Sequence, residues 1–72
     1  MKAIVTGKSQ LNWVTLTREY TFDVLTDDDE VVLTSQVIES RPSEIVGLLQ
    51  AKVAEYQAAY EEANDVEVGE EI

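Results

Sequence analysis

VTLTREYTFDVL (residues 14–25), TDDDE (26–30) and EVVLTSQVIES (30–40) follow one another, and how the two apolar stretches pair across the acidic one, as a hairpin of 12–25 with 30–39, decides the fold. The first stretch alternates. Val14, Leu16, Tyr20, Phe22 and Val24 fall on one face, with Arg18 as the exception. Thr15, Thr17, Glu19, Thr21 and Asp23 fall on the other. Alternation among β-branched and aromatic residues marks a half-buried strand. The second stretch places Val31, Leu33 and Val37 on one face and Val32, Thr34, Gln36 and Ile38 on the other. Between them, Asp27, Asp28, Asp29 and Glu30 turn the chain, since Asp tolerates left-handed conformations and bonds its own backbone. The turn lacks the Asn-Gly pair that marks the tightest hairpins. With Asp28-Asp29 central, Val24 faces Leu33, Tyr20 faces Val37 and Arg18 faces Glu39. With Asp27-Asp28 central, Arg18 faces Val37 instead. Both keep the apolar faces together; the first gives Arg18 a partner and is preferred.

The four carboxylates do not spell a metal site. Carboxylate oxygens suit calcium and magnesium, but a calcium loop starting at Asp28 would put Val32 at its fifth position and Leu33 where glycine is required. Only Glu39 would match. Gly7-Lys8-Ser9 ends like a phosphate-binding loop, yet Lys2 stands where the first glycine belongs and a strand follows in place of a helix.

Downstream, RPSEIVGLLQAKVAEYQAAYEEA (41–63) is a helix pattern. Pro42 suits a first-turn position and Glu44 the positive end of the helix dipole. Ile45, Leu49, Val53, Tyr56 and Tyr60 form an apolar stripe that Val46, Leu48 and Ala59 widen. Gly47 weakens the helix by about 1 kcal/mol relative to alanine or admits close packing. Asn64 is placed to end it. A helix of about 21 residues spans about 31 Å, close to the ~33 Å of a ten-residue strand. KAIVT (2–6) reads as a short strand joined by GKSQLN (7–12), and VEVGEEI (66–72) as a short edge strand or an acidic tail. The expectation is one α+β domain over residues 1–65: an antiparallel sheet with one long helix packed against it.

Seventy-two residues bury a modest core. There is no cysteine to staple the chain and no histidine to serve as base or ligand. No signal segment is visible at the start, and no apolar run approaches a membrane span of about 20 residues. A cytoplasmic protein without membrane contact is expected. The serines at 9, 35, 40 and 43 have no histidine to activate them, and so short a chain offers little room for a dry cleft that would tune a carboxylate. The expectation is no catalysis, no cofactor and no metal.

Net charge is −10. Residues 61–72 hold six acids and no base, against nine acids and five bases in residues 1–60. Such a chain repels nucleic acid directly and attracts basic partners. Trp13 precedes the alternating strand on the face opposite Tyr20 and Phe22, which Val32, Ile38 and Leu25 share. Either the N-terminal strand or the tail covers it, or Trp13, Val32 and Ile38 form a protein-binding patch. Tyr56 and Tyr60 read as core residues on the helix stripe. Open sheet edges and a half-apolar second face favour self-association, or a place in a larger assembly. The alternative is an acidic inhibitor. Asp27, Asp28, Asp29, Glu30, Glu61, Glu62, Asp65, Glu67, Glu70 and Glu71 would then dock on a basic nucleic-acid-binding host protein.

The closing stretch AEYQAAYEEANDVEVGEEI (54–72) resembles the ends of small uncharacterised proteins encoded among virion and tail genes of tailed phages. The resemblance covers about a quarter of the chain. It implies a phage setting, in host cytoplasm or virion, and carries no functional residue across.

Overall fold

The computed structural model describes residues 1–63 and 65–72. Three strands, β1 (Lys2–Lys8), β2 (Arg18–Leu25) and β3 (Val31–Ser40), precede one helix, α1 (Ile45–Ala63). The strands form one antiparallel sheet in the order β1-β2-β3, so β2 is central and both edges are open. The helix lies against the sheet on the side of β1. The fold is α+β, as the alternation and the helix pattern predict.

The TDDDE stretch does turn the chain. Asp29 N–H donates to the Thr26 carbonyl at 3.0 Å, and Thr26 N–H donates to the Glu30 carbonyl at 2.9 Å. Asp29 takes φ 63°, the left-handed conformation that aspartate tolerates. This is the three-residue hairpin loop, a tight turn closed by a left-handed residue.

Neither simple register survives along β3. Val24 faces Leu33, as the preferred register requires, but Tyr20 faces Ile38 and Arg18 faces Ser40. Val37, expected opposite Tyr20, lies opposite Thr21 and is exposed. A bulge is the cause. Phe22 pairs with Gln36 while Val24 pairs with Leu33, so β3 spends one extra residue across Asp23. Ser35 takes φ 53° there, and the Asp23 Oδ1 accepts its N–H at 3.0 Å. Because strand faces alternate, this single insertion moves Ile38 to the core face and Val37 to the outer one. A second irregularity beside Val32 separates Val24–Leu33 from Leu25–Val31. Glu39 therefore does not meet Arg18. It faces Glu19 and accepts the Thr17 hydroxyl at 2.7 Å.

The first strand of the hairpin is also shorter than the alternation suggests. Residues 13–16 leave the sheet as a turn, with Asn12 and Thr17 bridging below them. β1 is longer than expected, reaching Lys8, with a bulge between Val5 and Gly7. Residues 66–72 form no strand. The helix begins after Pro42 and Glu44, whose region is a separate turn, and the Glu44 carbonyl accepts its first bond from Leu48 N–H at 3.1 Å. Asn64, expected to end the helix, lies outside the described residues.

The core is small. Tyr20, Phe22 and Val24 of β2 and Ile45 of α1 are the buried apolar residues. Leu49, Val53 and Tyr56 continue the helix stripe half-buried, and Tyr60 is more exposed. Val46 and Leu48, which widen the stripe, face solvent. The radius of gyration is 15.5 Å, against about 11 Å for a compact chain of this length. The accessible surface is 5491 Å² for 8.0 kDa, about 1,000 Å² more than a compact monomer's ~4,450 Å². The exposed tail, the elongated shape of 56 × 18 × 16 Å and uncovered apolar side chains on sheet and helix all contribute to the excess.

Gly47 tests the helix directly. Nothing lies within 4 Å of where its Cβ would stand, so it serves no close approach. Gly47→Ala should raise stability by about 1 kcal/mol in urea unfolding. Asp23→Ala should lower it by about 1 kcal/mol through loss of the bond that holds the bulge.

Candidate functional site: an apolar hairpin tip and an acidic end

The loop joining β1 to β2 is built by Asn12. Its Oδ1 accepts the N–H of Val14 at 2.9 Å and of Thr15 at 3.4 Å. Its own N–H donates to the Thr17 carbonyl at 2.8 Å, and its carbonyl accepts Leu16 N–H at 2.7 Å. Thr17 spends its proton on Glu39, so the Thr15 hydroxyl donates to Thr17 Oγ1 at 2.7 Å. Below, Ser9 and Glu19 exchange bonds, Ser9 N–H to the Glu19 carbonyl and Glu19 N–H to Ser9 Oγ, both at 2.9 Å. This frame holds Trp13 at 80 % and Val14 at 93 % exposure, with Leu16 half-exposed beside them at φ 61°. A bulky residue held left-handed is strained, and such strain gathers at functional loops.

Trp13, Val32 and Ile38 are thus not one patch. Trp13 stands at the loop tip beyond the start of β2, not on a strand face. Val32 lies at the start of β3, beside the opposite turn, about 26 Å away along β2 at about 3.3 Å per residue. Ile38 is half-buried on the core face opposite Tyr20. The companions of Trp13 are Val14 and Leu16, which the alternation had assigned to the core. Asn12 four residues before Leu16 was the available signal, since Asn side chains build such turns.

The sheet face away from the core carries Ile4, Leu25, Val31 and Val37 by register, and Ile4, Val31 and Val37 are exposed. A shallow groove of about 420 Å³ runs between Met1, Lys2 and Ala3 and the helix residues Val46, Leu49, Gln50 and Val53. A polar cleft beneath the tip is lined by Ser9, Gln10, Asn12, Thr17, Arg18, Glu19 and Glu39. Among the described residues, Arg18 Nε is buried there without a hydrogen-bond partner.

The opposite end is acidic. Asp27 and Asp28 share a cleft with Met1, Thr26, Gln57 and Tyr60. Glu61 follows on the same helix and accepts the Gln57 amide at 3.1 Å. The fold therefore brings the turn carboxylates and the helix end together. Glu61 and Glu62 sit at the negative end of the helix dipole, and no base occupies the last turn. That placement costs local stability. Two cations answer the turn. The amino terminus meets Asp27 Oδ1 at 2.8 Å, and Lys2 Nζ meets Asp29 Oδ1. The hydrogen bond from the amino terminus, then its charge, holds the Asp27 carboxyl below its ordinary range. The hydrogen bond to Asp29, then its charge, holds Lys2 above its ordinary range. Among the described residues, no three acidic side chains converge as metal ligands. No described helix is long and apolar enough to cross a membrane.

A depressed carboxyl value means that the Asp27 ion pair stabilises the fold above the ordinary 3.8 and is lost as pH falls through the folded value. Wild type should therefore exceed Asp27→Asn in stability near pH 6, and the difference should vanish by about pH 2. Urea unfolding across that range checks this. A difference independent of pH would remove the ion pair as its source.

Comparison with protein-family models, with curated proteins and with solved structures gives no match.

Proposed function

We propose that this chain is a non-catalytic assembly protein that associates with copies of itself, in the phage virion or tail setting that its closing stretch implies. The observation that carries this reading is the surface left uncovered. The accessible surface exceeds a compact monomer's by about 1,000 Å², a part of it on the tail. The exposed apolar groups, Ile4, Val31 and Val37 on the outer sheet face, Trp13 and Val14 at the tip, and Val46 and Leu48 on the helix, lie on the folded part. Both sheet edges are open, but each carries a bulge, a feature that disfavours continuous edge pairing. The faces therefore contribute more than the edges. Light scattering behind a sizing column should give a defined mass above 8.0 kDa at both low and high salt. A monomer at micromolar concentration would contradict the reading.

One observation favours a second reading. The turn acids and the helix-end acids gather at one end, where Glu61 and Glu62 cost helix stability. An acidic inhibitor of a basic nucleic-acid-binding protein would use that end. Its affinity should fall steeply with salt and disappear on removal of residues 61–72. Affinity that is insensitive to salt would eliminate it.

A further inference from the structure

We infer that β3 is a register switch. Beyond Asp23 it has two folded pairings with β2, the bulged one and one slipped by a residue, and the slip exchanges Val37 and Ile38 between the core and the outer sheet face. The inference concerns the single chain and stands whether or not copies associate. The bulged register carries three costs, and the slip lifts each of them.

The first cost is in the backbone. Ser35 sits in the bulge at φ 53°. Residues other than glycine are uncommon in that conformation, and it persists only where the surroundings impose it. What imposes it here is one exposed contact, Ser35 N–H donating to Asp23 Oδ1 at 3.0 Å. Without the bulge, and with Val24 still facing Leu33, Ser35 pairs with Phe22 as ordinary strand, Tyr20 faces Val37 and Arg18 faces Glu39.

Charge is the second. The bulge sets Glu19 directly opposite Glu39, and like charges in that position repel. The slip puts Ile38 opposite Glu19 and moves Glu39 across from Arg18, so an ion pair replaces a repulsion. The third cost is a buried donor. Among the described residues, Arg18 Nε is buried without a hydrogen-bond partner and the guanidinium makes no ion pair. An unpaired buried donor keeps its full desolvation penalty, and the Glu39 carboxylate supplies the missing acceptor.

Against these stand two exposed hydrogen bonds, Ser35 to Asp23 and Thr17 to Glu39 at 2.7 Å, and the half-buried position of Ile38 on the core face. The slip restores most of that apolar cover, because Val37 enters where Ile38 leaves and the two side chains differ by one methylene. Adjacent branched residues at 37 and 38 let either face turn inward at nearly constant core volume. Two packings of one sequence that trade such small terms lie close in energy, and the slipped form is populated at about 1–10 %. The consequence is on the outer face. In the bulged form β3 shows Val37 and Glu39 there; in the slipped form it shows Ile38 and Ser40, and the face loses one acid.

Two substitutions at the exposed Ser35 drive the switch in opposite directions. A β-branched residue is a steric outlier at φ 53°, and in the slipped register it faces Phe22. Ser35→Val should therefore make the slipped form the major one. Glycine takes the left-handed conformation freely, so Ser35→Gly should hold the bulge. Cross-strand nuclear Overhauser contacts read the register, and relaxation dispersion reads microsecond-to-millisecond exchange. Ser35→Val should show Tyr20–Val37 and Arg18–Glu39 contacts in place of Tyr20–Ile38 and Arg18–Ser40. Wild type should show exchange confined to residues 34–40 and the β2 residues facing them, and Ser35→Gly should cut the minor population about fivefold. A Ser35→Val chain that keeps the Tyr20–Ile38 contact, with or without exchange, would overturn the inference. So would a Ser35→Val chain that unfolds, since no second register would then be within reach, and so would a wild type without exchange in β3.

Discussion

The bond from Ser35 N–H to the Asp23 carboxylate decides which residues this fold hides. It holds one extra residue in β3, and everything beyond the bulge changes face. Ile38 joins Tyr20, Phe22 and Val24 on the core side, while Val37 turns outward. The buried Ser40 at the end of β3, with its hydroxyl donating to the Arg41 carbonyl at 2.9 Å, then sets where the chain leaves the sheet for the helix. Without the insertion, Val37 would stand opposite Tyr20 and the helix would cover a different set of side chains.

The same geometry leaves a thin core. The one helix lies against the three-stranded sheet on the side of its edge strand β1, and Ile45 is its one buried residue among the described residues. Small domains bury a low fraction of their surface even when compact, and this one extends 56 Å along its longest axis. Apolar surface therefore remains at the tip, along the groove and on the outer face. Most of the acids lie toward the other end, where among the described residues the amino terminus and Lys2 pair with the turn. The molecule is lopsided in charge, and that asymmetry bears on how copies can meet.

The fold class was legible in the sequence because period-2 alternation and the 45/49/53/56/60 stripe are direct signatures of strand and helix. The acidic turn was legible for the same reason, since aspartate accepts left-handed backbone. Register was not. A bulge leaves no periodic mark, and the carboxylate that stabilises it sat in the alternation as an ordinary outward residue. For Trp13 the sequence left open cover by the N-terminal strand or tail and a place in an exposed patch; the residue is exposed, but Val32 and Ile38 lie elsewhere. The alternation of Val14 and Leu16 looked like strand, whereas the Asn12 side chain competes for the backbone and closes a turn there. The groove was invisible, because it forms only when β1 lies beside the helix.

Trp13 is the chain's one tryptophan, so it reports on its own surroundings without a label. The most direct test of the account is its emission spectrum across a dilution series, with the mass recorded on the same samples. Transfer of the Trp13 indole out of water on assembly predicts red-edge emission at high dilution. A shift to shorter wavelength should then track the growth in mass. Emission that stays red while the mass grows would show assembly that leaves the hairpin tip in water, and would contradict the account.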